Sequence, residues 1–191
     1  MKKYQIIYAD PPWSFYNKIP QDSNRNPREI SQYDIMTTEE ICSLPIKNIT
    51  SENCILFLWI TDAHLPEGLE VIKRWGFKYK TIGFIWKKLT CNGNLRRGVA
   101  PYTMKNCELC YIGVKGAFTK YLKDRTINQL VEAKMSKHSK KPKDVRDNIV
   151  KLCGDLPRIE LFAREKSDGW TSIGNDIDGV DIVESIKLLA R

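Results

Sequence analysis

Short apolar runs alternate with amphipathic segments along the chain, a pattern typical of α/β proteins. One run, CILFLWIT at 54–61, is apolar at successive positions, which predicts a central strand covered on both faces. The predicted strands are residues 4–9, 54–61, 81–87, 108–114, 158–163 and 171–174. The pattern therefore favours an α/β sheet with a buried middle strand.

Three segments between these runs predict helices, at 37–44, 66–75 and 142–153. The first opens with Thr-Thr-Glu-Glu, which suits a capped helix start. The second stops at Gly76 and the third at Gly154, as helices often do. The apolar faces of the second and third consist of Leu65, Leu69 and Ile72, and of Val145, Ile149 and Leu152.

Polar or basic stretches at 14–32, 88–106 and 134–144 interrupt this pattern. Loops of this length inside a compact domain are usually functional or disordered. All three contain cationic or aromatic side chains suited to nucleic acid, although solvated loops are often basic as well. With 191 residues and no repeat or low-complexity tract, we expect a single domain over 1–191.

The chain is basic, with 31 Lys and Arg against 23 Asp and Glu and a net charge of +8. This charge favours a polyanionic partner, but a basic solvated surface would give the same number. The sequence has no run of about 18 apolar residues and no signal-peptide core. We therefore expect a cytoplasmic protein without a membrane partner.

Six cysteines are dispersed along the chain, several of them in apolar runs, which suits buried reduced thiols. Cys107 and Cys110 have CxxC spacing, but no second CxxC and no HxxxH follows to complete a zinc site. Cys110 is predicted to be a core residue of a strand, and no metal is expected.

The stretch YADPPW places an acid and two prolines directly after the first predicted strand. Open α/β sheets bind ligands at the carboxyl ends of their strands. Pro11 and Pro12 have fixed φ angles, so a stiff turn would present the Asp10 carboxylate and a neighbouring carbonyl as two acceptors. With Trp13 as an exposed flat face beside them, these acceptors suit a planar heterocycle with an exocyclic amine, such as adenine. The alternative is a proline-rich turn with an incidental aspartate.

The C-terminal stretch RIELFAREKSDGWTSIGNDIDG predicts a second site, built as strand, loop and short strand followed by Asn175 and Asp176. An acid after a second strand commonly binds ribose hydroxyls in nucleotide-binding α/β folds. The absence of GxGxxG in the sequence argues against a pyrophosphate cradle. A nucleoside without phosphates, such as S-adenosylmethionine, remains a suitable ligand.

Together these motifs resemble the family that methylates adenine at N6 with a D-P-P-W motif, which ranges from messenger-RNA methyltransferases to small bacterial and phage members acting on DNA. The matching segments are, in order, ADPPW, YDIMTTEEI, LFLWIT, IWKK, YIGVKG, SKKPKDV, RIELFAR and GNDIDG. The resemblance implies a Rossmann-like, S-adenosylmethionine-dependent methyltransferase fold with a mostly parallel seven-stranded sheet. It also implies a catalytic motif that precedes the cofactor motif.

The same resemblance implies roles for individual residues. Asp10 and the Pro11 carbonyl, in the motif that Pro12 completes, would hold the adenine amine, and Trp13 and Tyr33 would flank the base. The expected cofactor-binding positions are Asp10, Lys141, Glu160, Phe162, Arg164, Asn175 and Asp176. The cations expected to contact nucleic acid are Lys87, Lys88, Arg96, Arg97, Lys137, Lys140 and Lys143.

The expected reaction is methyl transfer from S-adenosylmethionine to N6 of adenine in DNA, leaving S-adenosylhomocysteine. Three features depart from the family pattern: Ala163 replaces a frequent glycine, Asp176 replaces glutamine or glutamate, and the loop at 14–32 is longer than in the messenger-RNA enzyme. The alternatives are methylation of RNA, methylation of a protein glutamine side chain, and a catalytically silent nucleic-acid-binding subunit. Because family members pair, a homodimer is one expected assembly.

Overall fold

The computed structural model describes residues 2–14, 35–100, 102–136 and 140–191. Within these ranges seven strands form one sheet, joined by five α-helices and short 3-10 turns. The strands are β1 (Tyr4–Ala9), β2 (Thr50–Ile60), β3 (Lys78–Leu89), β4 (Cys107–Lys115), β5 (Leu130–Lys134), β6 (Arg158–Leu161) and β7 (Thr171–Ile173). The helices are α1 (Thr38–Ser43), α2 (Leu65–Arg74), α3 (Lys143–Cys153), α4 (Asn175–Asp178) and α5 (Ile182–Leu189).

The strand order is β5-β3-β4-β2-β1-β6-β7. β4 pairs antiparallel with β2 and β3, whereas every other neighbouring pair is parallel. The predicted mostly parallel, seven-stranded α/β sheet is therefore confirmed. From β1 the chain continues to β2 on one side, and β6 and β7 lie on the other. The carboxyl ends of β1 and β6 thus flank the point where α/β sheets open a ligand crevice.

β2 supplies both faces of the core, as the run CILFLWIT predicts. Leu58 and Ile60 belong to an apolar cluster that includes residues of α1, α2 and α5. Phe57 and Trp59 belong to a second cluster on the opposite face, with residues of α3. The sheet therefore lies between two helical layers. No helix in the described ranges has both the length and the apolar character required to cross a membrane.

The three predicted helices are present, and α1 begins with the expected cap. The Thr37 hydroxyl accepts the Glu40 backbone N–H while the Glu40 carboxylate accepts the Thr37 N–H. The predicted apolar stripe of α2 is wrong at one position, because Leu69 is exposed. The helix approaches β2 at Gly68 instead, where a Cβ atom would overlap the Ile60 side chain.

Three regular elements are missing from the sequence-based prediction: β5, the four-residue α4, and α5. β5 is a five-residue edge strand in which only Val131 is buried, so its sequence, LVEAK, is too short and too charged to stand out as an apolar run. α5 follows the last motif of the chain. It is capped by Asp181, whose carboxylate accepts the backbone N–H groups of Val183 and Glu184, and it buries Ile186 against the first cluster.

Gly174 joins β7 to α4 at the edge of the crevice, and its backbone packs against the turn after β6. A Cβ atom there would lie 2.7 Å from the Ala163 nitrogen and 3.0 Å from the Phe162 carbonyl carbon. We expect Gly174→Ala to lower the free energy of unfolding by about 1–3 kcal/mol, because backbone atoms must move apart. Urea denaturation measures this change, and an unaltered midpoint would contradict the packing described.

Candidate active site

The acidic turn lies at the carboxyl end of β1, since Asp10 follows the last residue of that strand. Backbone hydrogen bonds close the turn on both sides of the two prolines. The Trp13 N–H donates to the Pro11 carbonyl at 3.0 Å, and the Met36 N–H donates to the Pro12 carbonyl at 2.8 Å. The Asp10 carboxylate is thereby held on a short, fixed segment at the crevice.

Trp13 differs from its prediction, because its side chain points into the core and is only 5% exposed. Its Nε1 donates to the Trp59 carbonyl at 3.1 Å, and its ring stacks on His64 with centroids 5.4 Å apart. The two ring nitrogens of His64 contact the Ser14 carbonyl and the Thr61 hydroxyl. The expected exposed plate is therefore wrong: a large indole gains more by burial with its N–H satisfied.

A row of four alternating charges ends at Asp10. The Lys141 Nζ lies 2.6 Å from the Asp10 Oδ2 and 3.2 Å from the Glu108 Oε2. Lys88 forms an ion pair with the same Glu108. We call Lys88, Glu108, Lys141 and Asp10 the charge row. The Lys141 ammonium also lies 5.4 Å from the centroid of the Trp59 ring.

The charge row is largely shielded from water, which makes each pairing matter more. Burial alone would lower the pKa of Lys141, but Asp10 and Glu108 outweigh it and raise that pKa above its ordinary value. Burial alone would raise the pKa of Glu108, but Lys141 and Lys88 hold that pKa below its ordinary value. Both groups are consequently charged at neutral pH.

A second set of ion pairs lies beside β6, whose Glu160 is paired in register with Tyr8 of β1. The Nη1 of Arg146, on α3, donates to both carboxylate oxygens of Glu160 at 2.9 Å each. The Nη2 of the same guanidinium lies 3.4 Å from the Glu165 carboxylate. Glu165 also pairs with Lys140 at 2.6 Å. Glu160, expected to bind a cofactor, is thus a buried carboxylate engaged by a buried guanidinium, as an inaccessible charge requires.

Tyr8 lies between the charge row and this second set. Its hydroxyl accepts a hydrogen bond from the Trp59 Nε1 at 2.8 Å. Burial, with Cys110, Glu160 and Asp10 nearby, raises the pKa of Tyr8 well above its ordinary value. The phenol is therefore neutral over the working pH range of most proteins.

The other expected cofactor positions follow the ends of β6 and β7. Phe162 has φ +61°, a left-handed conformation that non-glycine residues seldom adopt, directly after β6. The Ala163 N–H donates to the Ile173 carbonyl at 2.9 Å, which fixes this turn against β7. Asn175 and Asp176 are exposed and begin α4. Arg164 is half-buried in the same turn.

The cations expected to contact nucleic acid fall into different environments. Lys88 is mostly buried in the charge row, with 16% of its side chain exposed, and so does not lie on an open surface. Lys87, Lys140 and Lys143 are more exposed and pair with Glu132, Glu165 and Asp147. Arg96 and Arg97 are exposed on the connection between β3 and β4. Tyr33, Lys137 and most of the predicted loop at 14–32 lie outside the described residues.

The cysteines do not contribute an evident site. Cys110 is fully buried, which confirms its prediction as a core residue, whereas Cys107 is exposed. All six are free thiols. In the part of the chain that the structure describes, no group of three or more His, Cys, Asp and Glu side chains is arranged to hold a metal ion.

Sequence reasoning missed Glu108 and Arg146. Glu108 precedes the apolar run LCYIGV and Arg146 interrupts the apolar face of α3, so each is a charge in an apolar setting. Such a charge must find a partner when it is buried, and this was the available signal. The partners themselves come from distant parts of the chain.

Comparison with known proteins places this site in context. Residues 4–176 match the MT-A70 family. The chain is 34% identical over 189 residues to the Type II methyltransferase M.MunI of a Mycoplasma species, covering 92% of this chain and 78% of that protein. It is 26% identical over 186 residues to the human N(6)-adenosine-methyltransferase catalytic subunit METTL3, and 27% identical over 187 residues to a probable N(6)-adenosine-methyltransferase of rice. The chain spans only 30% and 24% of the length of these two eukaryotic relatives.

The lowered pKa of Glu108 makes the stability contributed by the charge row depend on pH. This contribution is fully present above the ordinary value of 4.5 and is lost as the pH falls through the lower folded-state pKa. We expect the stability advantage of the wild type over Glu108→Gln to be constant from about pH 6 down to the ordinary value of 4.5 and to shrink as the pH falls further. Urea denaturation across that range measures it.

Glu132→Gln is the matched control, because Glu132 forms an ion pair with Lys87 that is half-exposed. Such pairs contribute little, so this variant should differ only slightly from the wild type at every pH. A constant difference between the wild type and Glu108→Gln would show that Glu108 does not titrate with the charge row.

Proposed function

The chain belongs to the MT-A70 family, and from that membership we propose that it transfers the methyl group of S-adenosylmethionine to the exocyclic N6 of adenine in DNA. The match confirms the predicted resemblance to this family. It also confirms the prediction that the chain is a methyltransferase. The single observation that supports the proposed site is the position of Asp10, in a closed D-P-P-W turn at the crevice, with Lys141 at 2.6 Å.

In this proposal the turn binds the amino group of the target adenine. One oxygen of Asp10 is engaged by Lys141, which leaves Oδ1 to accept one amine hydrogen. The Pro11 carbonyl accepts the Trp13 N–H, and a carbonyl oxygen has a second lone pair for the other amine hydrogen. Binding both hydrogens draws the nitrogen toward tetrahedral geometry and directs its lone pair outward. Catalysis then rests on positioning and electrostatics.

The donor set at this edge fits S-adenosylmethionine. Lys141 offers a shielded ammonium group for a carboxylate, and the exposed Asn175 and Asp176 offer an amide and a carboxylate for ribose hydroxyls. The partly buried Phe162 offers an apolar surface for the adenine of the cofactor. When bound, the cofactor supplies a methyl group on a positively charged sulfur. Arg164 remains a proposed contact, and Glu160 is assigned to holding α3 against β6 through Arg146.

The base-flanking residues are revised accordingly. Because Trp13 is buried and stacked on His64, we assign it to fixing the acidic turn against the end of β2. Tyr33 stays a prediction for one face of the base. Glu108 enters the proposal as a second acid that holds Lys141 in place, and Lys88 enters it as the cation that pairs with Glu108.

DNA is preferred to RNA because of the pattern of similarity. Identity to the Mycoplasma methyltransferase is higher than to the relatives whose names specify adenosine, and the match covers 78% of its length against 24% and 30% of theirs. The chain also resembles the small family members that methylate DNA, and its net charge of +8 suits a nucleic acid better than a protein glutamine. The intact acidic turn argues against a silent subunit. A homodimer and a cytoplasmic location stay predictions.

The proposed role of Asp10 predicts a large loss of activity on Asp10→Asn, which keeps the shape but removes the negative charge. We expect methyl transfer to fall by at least about a hundredfold, in line with the removal of one transition-state contact. Circular dichroism and urea denaturation should show a folded protein. Asp155→Asn is the control, since that carboxylate is 91% exposed and precedes the amino end of β6, away from the carboxyl ends of the strands where Asp10 lies. A fully active Asp10→Asn protein would refute the proposed site.

The substrate is tested by mass spectrometry for N6-methyladenine, after incubation with S-adenosylmethionine and matched unmethylated DNA and RNA. We expect the mark in DNA, at positions that sequencing can map. Methylation of RNA alone would contradict the choice of DNA and leave the proposed chemistry in place. Methylation of neither would favour a silent or partner-dependent subunit.

A further inference from the structure

The connection between β3 and β4 forms an ordered projection, which we call the ribbon and define as residues 90–100 and 102–106. Backbone hydrogen bonds order the ribbon in two places. Gly98 and Lys105 exchange N–H and carbonyl groups at 2.8 Å each, and the Arg96 N–H donates to the Lys88 carbonyl at 2.9 Å. The chain thus first turns back on the end of β3, where Leu95 pairs antiparallel with Leu89, and then closes a second loop between Gly98 and Lys105.

Large apolar side chains on this ribbon are left in solvent. Tyr102 is 97% exposed and Val99 is 91% exposed, the two highest values among the exposed large hydrophobic residues in the described part of the chain. Leu95 and Met104 are exposed on the same ribbon. Isolated exposed apolar residues are ordinary, but four on one short projection indicate a binding surface.

The charge of the ribbon indicates the kind of partner. Residues 87–107 contain five cations and no Asp or Glu. Lys87, Lys88 and Lys105 pair with acids elsewhere in the chain, and Arg96 and Arg97 stand exposed beside the apolar tip. Two ribbons packed together around a twofold axis would bring these arginines close to each other, which disfavours a second copy of the chain. Cations beside an exposed aromatic ring instead suit a nucleic acid strand.

The ribbon also starts beside the site. β3 runs in the same direction as β1, so its carboxyl end lies on the edge of the sheet that holds Asp10. Lys88, at the base of the ribbon, is the first member of the charge row that ends at Asp10. Lys105 pairs with Asp62, which follows the end of the neighbouring β2. A strand held at the crevice therefore lies within reach of the ribbon.

We propose that Tyr102 stacks between the bases of duplex DNA at the place that the target adenine leaves when it turns out of the helix. This inference rests on the proposed function. An adenine inside a duplex cannot reach the Asp10 turn, and turning it out costs pairing and stacking energy. An aromatic ring that enters the vacated space restores part of the stacking, while Arg96 and Arg97 neutralise the adjacent phosphates. This role of the ribbon implies that the substrate is double-stranded DNA.

The test compares two duplexes of one sequence, taken from a methylation site mapped on DNA as above. In one the target adenine is paired, and in the other the complementary strand has a three-nucleotide gap opposite the adenine, so that no base pair adjoins it. We expect Tyr102→Ala to lower kcat/KM on the paired duplex by about tenfold to a hundredfold, the range of one lost base–aromatic stack. On the gapped duplex we expect a loss of less than about threefold, because the adenine leaves no space between base pairs when it turns out.

Two controls accompany this variant. Tyr102→Phe keeps the ring and should retain the wild-type rate on both duplexes. Leu188→Ala removes another exposed apolar side chain, on α5 rather than on the ribbon, and should change neither rate. Equal losses on the two duplexes, or no loss on either, would overturn the inference while leaving the proposed function intact.

A wild type that methylates no DNA would instead contradict the proposed function. The ribbon is then judged by fluorescence anisotropy, with a fluorescein-labelled duplex that contains one abasic position and no added cofactor. Weaker binding by Tyr102→Ala than by Tyr102→Phe supports the inference. Equal binding by the two variants overturns it.

Discussion

The ion pair between Lys141 and Asp10 is the contact on which the arrangement of the site depends. It joins residues 131 positions apart and connects the segment before α3 to the end of β1. Neither charge would be stable in so shielded a place alone, because an unpaired buried charge is costly. Glu108 supplies the second acid that Lys141 needs, and Lys88 balances Glu108 in turn. Each group in the charge row is therefore held in place by its oppositely charged neighbour.

The sequence contains much of this arrangement. The apolar runs define β1 and β2, and the D-P-P-W turn after β1 places Asp10 at the crevice. Resemblance to a family adds Lys141 without any knowledge of the fold. The orientation of Trp13 could not be predicted from the sequence, because its burial depends on His64 and the Trp59 carbonyl, which lie more than 40 positions away. A tryptophan beside a polar loop gives no local sign of which way it points.

The partners of Glu108 and Arg146 show the same limit. Each is a single charge whose significance arises only when strands and helices from separate parts of the chain meet. β5 escapes detection for a different reason, since an edge strand with one buried residue needs few apolar positions. Local patterns predict elements that bury a face, whereas contacts between elements determine which charges pair.

The reversed direction of β4 has a consequence for how this fold can vary. In the six parallel strands only the end of a strand reaches the crevice, but β4 reaches it with its beginning, at Cys107 and Glu108. The hairpin that joins β3 to β4 consequently turns back at the crevice itself. Residues can be inserted into or deleted from that hairpin without shifting Lys88, Glu108 or the sheet behind them. Related proteins can thus acquire different reach toward their substrates while the groups around the reacting atoms stay the same.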